Sequence, residues 1–311
     1  MSAYLGIDTS NYTTSVCLYD SESGKVISRR KLLPVKDGEL GLRQSDAVFH
    51  HVQQLSELFD SAFDGFEDRI KAIGVSYAPR TAEGSYMPCF TVGLMVAKVL
   101  QSVLKVPLYE FSHQQGHIAA ALYSIDRLDL LHEKHIAFHV SGGTTEALLV
   151  NGADGFVTTD IVAKTLDLNA GQLIDRIGVM LGLHFPCGAE LERLALSCEE
   201  KIKVRPTLKG MDCCLSGGQN IAEKYLKEGR SPAYLARFAM EYAASAIVGM
   251  SERIRETYGD LPFVYAGGVM SDSIIREELC SRFDCLSAKP EFSCDNAAGT
   301  AVLAYIKDNE S

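Results

Sequence analysis

Two histidines four residues apart are the side chains in this 311-residue chain best suited to chemistry: His113 and His117, in the run Ser112-His113-Gln114-Gln115-Gly116-His117. The run follows an apolar segment, residues 106–111, that reads as a strand, and it opens a helical pattern reaching about residue 123. On a helix, positions i and i+4 share a face, so both imidazoles can turn toward one point. A helix presents two nitrogens to one zinc or iron ion by this spacing. No Glu follows the first His, so the pair is not the HExxH of zinc proteases. A third ligand has to come from elsewhere in the chain; without one, both residues are ordinary surface or core histidines.

Three further features could bind or orient a ligand. Ser141-Gly142-Gly143-Thr144-Thr145 is a glycine turn between two apolar runs. Its backbone N–H groups could hold a phosphate or carboxylate, or the glycines could serve only a tight hairpin at positive φ. Ala266-Gly267-Gly268-Val269 ends a buried strand and leads into a helix. There the glycines admit either a flat ligand or a close strand–helix contact. Asp8 ends the first apolar strand beside a hydroxyl-rich turn, where it caps the turn or orients a phosphate or metal-bound water.

The elements that position these residues alternate. Strands at 4–8 and 15–19 form a hairpin, and residues 26–33 add a third strand. A helix with Val48, Val52, Leu55, Leu58 and Phe59 on its stripe covers 46–63. A strand at 72–77, a loop at 78–88 and a helix at 90–104 lead to the strand before His113. The second half opens similarly, with strands at 136–140, 146–150 and 156–162. Helices follow at 170–181, 189–198 and 232–257, then a strand at 262–265 and helices at 273–282 and 296–307. Each half thus begins with a hairpin whose turn is built of small residues, which suggests two similar α/β lobes with a cleft between them.

Composition narrows the class. A chain that is 47% hydrophobic and 23% charged can bury a large core and has the length of about two domains. Nine cysteines without CxxC spacing, and no secretory pattern at the N-terminus, predict reduced thiols in a cytoplasmic protein; the adjacent Cys213 and Cys214 could be redox-active but read better as buried, inert thiols. No apolar run is long enough to span a membrane. A net charge of −10 argues against a free-standing nucleic-acid binder, leaving Arg29, Arg30 and Lys31 as the basic patch, which otherwise reads as a solvated hairpin end.

Taken in order, the motifs resemble the TsaD family, the tRNA adenosine threonylcarbamoyltransferases formerly described as O-sialoglycoprotein endopeptidases or glycoproteases. The stretches that carry the resemblance are Leu5-Gly6-Ile7-Asp8-Thr9-Ser10, residues 112–117, Val140-Ser141-Gly142-Gly143, Thr165-Leu166-Asp167 with Ala170-Gly171, and Ile174-Asp175-Arg176. Leu181-Gly182-Leu183 with Pro186 and Gly188, Gly267-Gly268-Val269 and Cys294-Asp295-Asn296-Ala297-Ala298 complete the set, which spans nearly the whole chain.

The resemblance implies an α/β protein of the actin-like ATPase fold, with two RNase H-like lobes and a central cleft. Residues 1–110 would form the N-terminal lobe, completed by the C-terminal helix at about 295–311, and residues 111–294 the second lobe. It implies that Asp295 joins His113 and His117 around one divalent metal ion per subunit, iron or zinc. Substrate and nucleotide contacts fall on His139, Val140, Ser141, Gly142, Gly143, Asp175 and Gly188, to which the glycine-rich strand end adds Gly267, Gly268 and Asp272. Asp8 and Asp175 are the expected catalytic carboxylates. The implied ligand is an adenine nucleotide, threonylcarbamoyl-adenylate or ATP, with magnesium as an accompanying ion. The implied acceptor is an adenosine in the tRNA anticodon loop. The implied partners are tRNA, a small paralogous actin-like protein and an ATPase subunit, with no membrane.

The chain departs from the family pattern at several places. The family hairpin Glu-Thr-Ser-Cys-Asp-Glu-Thr is here Asp8-Thr9-Ser10-Asn11-Tyr12-Thr13-Thr14, which lacks two acids. Thr144 replaces a His, Asp272 replaces an Asn, and residues 78–84 replace a Gly-Pro-Gly-Leu loop. These changes suit a divergent member or paralogue. The alternatives to a transferase are a non-catalytic or regulatory paralogue acting through protein contacts, or another carbamoyl or phosphoryl transferase on the same fold.

Overall fold

The computed structural model describes residues 2–10, 12–34, 42–62, 69–153 and 156–310. Within them the chain divides into two compact units, one of Met1–Leu131 with Phe292–Ser311 and one of His132–Glu291. The boundary lies beyond the His113 helix, whereas the sequence reading put everything from residue 111 to 294 in the second lobe. The reason is packing: the helix that carries the histidines has its most extensive helix–helix contact with the C-terminal helix, not with the second sheet.

The first unit is built on strands β1 (Ala3–Ser10), β2 (Thr13–Asp20), β3 (Lys25–Leu32), β4 (Ile70–Ala78) and β5 (Leu108–Ser112), in the order β3-β2-β1-β4-β5. β1, β2 and β3 are antiparallel, while β4 and β5 run parallel to β1. Both faces of β1 are covered, so the strand reads as a continuous apolar run ending in polar residues. Leu5 and Ile7 pack with Val16 and Leu18 against α1 (Gln44–Ala62) and α2 (Phe90–Leu104). Tyr4 packs with Cys17 and Tyr19 on the other face, against α9 (Ala298–Glu310). The expected helix at 46–63 is α1; its last expected residue lies outside the described residues.

The second unit repeats the design. Strands β6 (His135–Val140), β7 (Thr145–Ala153) and β8 (Phe156–Lys164) are antiparallel, and β11 (Phe263–Ala266) and β12 (Cys285–Ser287) run parallel to β6, giving β12-β11-β6-β7-β8. The core lies between this sheet and α4 (Ala170–Met180), α5 (Gly188–Leu196) and the 27-residue α7 (Pro232–Tyr258). Phe138 stacks on Tyr265 at 5.0 Å, and the Tyr265 hydroxyl meets Ser251 of α7 at 2.9 Å. α8 (Ser273–Cys280) follows β11.

Several elements went unread in the sequence: the hairpin β9 (Thr207–Lys209) and β10 (Asp212–Cys214), the helix α6 (Ser216–Lys227) and the short β12. α6 begins Ser-Gly-Gly, residues that read as a turn. Asp167 holds that start in place by accepting from Leu215 N at 2.7 Å, Ser216 N at 3.2 Å and the Ser216 hydroxyl at 2.5 Å. All nine cysteines are free thiols; Cys213 is buried, which pushes its thiol up to about 12 and fits an inert role, whereas Cys214, expected to be buried with it, is half-buried because it ends the short edge strand β10. No helix among the described residues is long and apolar enough to cross a membrane.

Candidate metal centre

The histidine helix α3 (His113–Ser124) starts where it does because of a capping box. The Ser112 hydroxyl accepts from Gln115 N at 3.2 Å, and the Gln115 side chain accepts from Ser112 N at 2.7 Å. This S-x-x-Q signal was present in the sequence and marks the helix start. It makes His113 the first helical residue and sets His117 one turn on, so that the rings meet edge to face with centroids 4.3 Å apart.

The third ligand arrives by close helix packing. α9 crosses α3 at Gly299 and Gly116, and a Cβ on Gly299 would lie 1.8 Å from the Gly116 carbonyl oxygen. Gly6 of β1 likewise leaves room for the Ala297 carbonyl, which would stand 2.3 Å from a Cβ there. The Asn296 side chain caps the start of α9 by accepting from Ala298 N at 2.9 Å. Asp295, just ahead of that start, is thereby held against the histidines.

His117 Nε2 lies 2.9 Å from His113 Nε2 and 3.2 Å from Asp295 Oδ1, and His113 Nε2 lies 3.4 Å from the same oxygen. Donors bound at about 2.1 Å to one ion stand about 3.0 Å apart at right angles and about 3.4 Å apart at tetrahedral angles. The observed triangle falls in that range, and two imidazoles with one carboxylate are a donor set that zinc and iron accept, so the residues fit a metal. The three side chains are 14–29% exposed, which leaves a face of the site open.

Behind the triad sits Asp8, 1% exposed. Its Oδ2 is 2.8 Å from His113 Nδ1 and also accepts from the Ser76 hydroxyl, while Oδ1 accepts from Ser10 N at 2.9 Å. Burial opposes charge on His113, but the Asp8 and Asp295 carboxylates outweigh it and push its pKa up to about 10. Burial would raise Asp295, yet the two histidines hold it well below the usual carboxylate range. Two carboxylates thus draw positive charge to the point where the imidazoles meet. Asp8 is therefore not placed to touch a substrate, since all its bonds run inward. Thr9 is structural too: its hydroxyl donates to the Cys89 carbonyl at 3.0 Å and accepts from Gly93 N at 3.1 Å, tying β1 to α2. Sequence reasoning missed His51, buried on α1, whose Nδ1 meets the Thr14 hydroxyl at 2.8 Å; burial pulls its pKa down to about 4, so it is neutral.

The expected nucleotide residues gather in the second unit, at the carboxyl ends of β6 and β11. Ser141–Thr144 is an open turn with Gly142 and Gly143 exposed. The hairpin is tight, with Ser141 N donating to the Thr144 carbonyl at 2.7 Å, but neither glycine has a positive φ, so that part of the expectation is corrected. Gly171 of α4 lies against the turn instead, where a Cβ would stand 2.6 Å from Gly142 N. The anion-cradle expectation is also trimmed, because the Ser141 hydroxyl already accepts from Gly143 N at 3.2 Å and Thr144 N at 3.0 Å. Gly267, at φ 106°, packs on Val140, next after His139 on β6. One turn beyond Gly171, burial raises the Asp175 carboxyl, and its Oδ1 accepts from Cys187 N at 2.8 Å beside Gly188. Asp272 caps α8 by accepting from Ile275 N at 2.9 Å. Its other oxygen is buried with no partner among the described residues, and burial pushes the group up to about 6.

Two sheets of identical strand order define a protein of the actin-like ATPase fold class. A solved structure that shares it is the activator of the 2-hydroxyisocaproyl-CoA dehydratase from Clostridium difficile, with a TM-score of 0.55 at 11% identity over 99% of this chain and 96% of that one. Within the class, the family model for TsaD, tRNA N6-adenosine threonylcarbamoyltransferase, matches residues 37–302, and the chain belongs to that family. It is 28% identical over 325 residues to the tRNA N6-adenosine threonylcarbamoyltransferase of Persephonella marina, covering 99% of this chain and 90% of the relative. A second relative, the probable bifunctional tRNA threonylcarbamoyladenosine biosynthesis protein of Methanothermobacter thermautotrophicus, is 28% identical over 97% of this chain; the chain spans about half of it, 55%.

Proposed function

We propose that this protein transfers a threonylcarbamoyl group from threonylcarbamoyl-adenylate to the exocyclic amine of an adenosine in a tRNA anticodon loop. Family membership supports the reaction class, and the observation that carries the reading to this chain is the convergence of His113, His117 and Asp295. A scaffold has no use for three metal-ligating groups drawn together by two glycine contacts.

His113, His117 and Asp295 would hold one iron or zinc ion, which supplies Lewis acidity toward the activated carbonyl. The remaining roles fall to the chain's own residues. Ser141, Gly142 and Gly143, after His139 and Val140, offer an exposed edge to the adenylate; Gly267 seats the end of β11 on Val140, and Gly268, with open space beside it, lets a flat base approach. Asp175 and Gly188 orient the nucleotide, with Asp272 as a further polar contact. The amine nitrogen bonds to the carbonyl carbon, the bond to the phosphate oxygen breaks, AMP leaves with that electron pair, and the amine sheds a proton. Exclusion of water by the nucleotide site protects the reagent from hydrolysis. ATP with magnesium is the alternative nucleotide. The reading includes a cytoplasmic location, tRNA as partner, and a small paralogous actin-like protein and an ATPase subunit as accessory proteins.

One observation favours a second reading. Asp8, the acid that the hairpin retains in its described residues, spends both oxygens on protein donors, which suits a regulatory paralogue that binds nucleotide without transfer. The test is to load the protein with zinc or iron, add tRNA and adenylate generated in place, and digest the tRNA for nucleoside mass spectrometry. Threonylcarbamoyl-adenosine above the level with metal-stripped protein is expected. Tight adenylate binding with no modified nucleoside, also in the presence of the partners, would overturn the transferase reading in favour of the regulatory one.

A further inference from the structure

We propose that Asp8 is a positioning residue that sets the tautomer and aim of His113, and that Thr13, on the facing strand of the same hairpin, does the corresponding work for Asp295. The inference rests on the metal-site reading above, and its test is chosen to separate the two.

The geometry at Asp8 leaves it one role. A carboxylate that is 1% exposed is costly unless every lone pair faces a donor. Here the donors are Ser10 N, the Ser76 hydroxyl and His113 Nδ1. An ionised carboxylate can only accept, so Nδ1 of His113 carries the proton. With that proton committed, Nε2 is the ring's sole ligand atom, and it is the atom that faces His117 and Asp295. A carboxylate fixed behind a metal-binding imidazole orients the ring and strengthens its lone pair. Ser76 extends the support, since its hydroxyl also lies 3.5 Å from that of Thr300 on α9, the helix that Asp295 precedes.

At the other end of the triad the two oxygens of Asp295 are divided. Oδ1 faces both imidazoles, and Oδ2 accepts from the Thr13 hydroxyl at 3.4 Å. That bond keeps Oδ2 turned away and presents a single oxygen to the cation. Asp8 pairs with Ser15, and Ser10 pairs with Thr13, across β1 and β2, so one hairpin holds both residues in fixed register. Thr13 stands where the family pattern has an acid, and the hydroxyl converts that position into a neutral prop.

The experiment compares zinc affinity, by competition with a chromophoric chelator, in the full-length wild type, Asp8→Asn and Thr13→Val. Asp8→Asn is expected to weaken zinc binding about 10- to 100-fold, and Thr13→Val about fivefold, the worth of one ordinary hydrogen bond. A readout that a merely structural role would not move is the imidazole spectrum of the zinc-loaded, 15N-histidine-labelled protein. His113 should show a protected, downfield Nδ1 proton that shifts upfield in Asp8→Asn. Unchanged zinc affinity in Asp8→Asn, or a wild-type His113 with no protected Nδ1 proton, overturns the inference. If Asp8→Asn does not fold, the wild-type spectrum and Thr13→Val decide the matter. A wild type that takes up no zinc or iron fails the metal reading itself, which is a different result from zinc uptake that ignores Asp8.

Discussion

The two sheets share one strand order, yet their first hairpins do opposite things. In the first unit the strand ends that flank the turn between β1 and β2 carry Asp8, Thr9, Ser10, Thr13 and Thr14, all buried, and the side chains of Asp8, Thr9, Thr13 and Thr14 bond to α3, to the start of α2, to Asp295 and to α1. In the second unit the tip between β6 and β7 is Ser141-Gly142-Gly143-Thr144, with both glycines exposed and the turn closed on itself through Ser141. A duplicated topology thus supplies one hairpin as an inward buttress and the other as an outward edge. What differs is side-chain content: the carboxylate of Asp8 and the hydroxyls of Thr9, Thr13 and Thr14 find protein partners in the interior, whereas the two glycines place no side chain between the turn and solvent.

Substitutions at the close contacts of each unit should separate these roles. The largest effect is expected in the first unit from Gly299→Ala, whose added carbon would stand 1.8 Å from a backbone oxygen of α3. Helix α9 has to move, which costs roughly 3 kcal/mol or more and carries Asp295 off the histidines. Thermal unfolding and zinc uptake should fall together. The matching change in the second unit is Gly171→Ala, whose Cβ would meet the Gly142 backbone at 2.6 Å. It should shift the glycine turn and weaken adenine-nucleotide binding about tenfold, equivalent to about 1.4 kcal/mol, while zinc affinity holds. Nucleotide titration and metal competition on the same sample would show whether the two sites come apart in this way.

The smallest effect concerns Asp272 at the start of α8. Burial pushes its pKa up to about 6, above the unfolded value, so the ionised form is disfavoured in the fold. The penalty is absent when both states are protonated, below about pH 4, grows through the interval to about pH 6, and is full above it. Asn caps a helix as well as Asp does. Asp272→Asn should therefore add about 1 kcal/mol of stability near pH 7 and almost nothing near pH 4, as read from denaturation midpoints at the two pH values. An equal gain at both would place the effect in packing and not in charge.

Much of the fold was legible because its signals are local. The apolar strands, the two hairpins and the His113–His117 spacing each lie within a short window, and their order suggested the duplicated α/β design. The residue reading of the site stopped at two ligands, because Asp295 lies 178 positions beyond His117 and reaches it only through the Gly116–Gly299 crossing, which no periodicity reports. The role of Asp8 was misread for a related reason. A turn-capping or catalytic Asp and a buried partner of His113 look alike until the order β1-β4-β5 sets the end of β1 near the start of α3. α6 was missed because its glycine-rich first turn is held from outside, by Asp167 far away in the chain and by the close contact of Gly218 with Tyr242 of α7. The boundary after Leu131 was misplaced because helix–helix packing, and not strand order, decides which unit owns α3.

The most direct test is metal stoichiometry after purification from zinc- and iron-supplemented cells, comparing wild type with His117→Ala and Asp295→Ala. One equivalent of zinc or iron per chain in the wild type, lost in both variants while each stays folded, is the expected result. A folded wild type without bound metal, or variants that keep the full equivalent, would contradict the assignment of His113, His117 and Asp295 as a shared metal site.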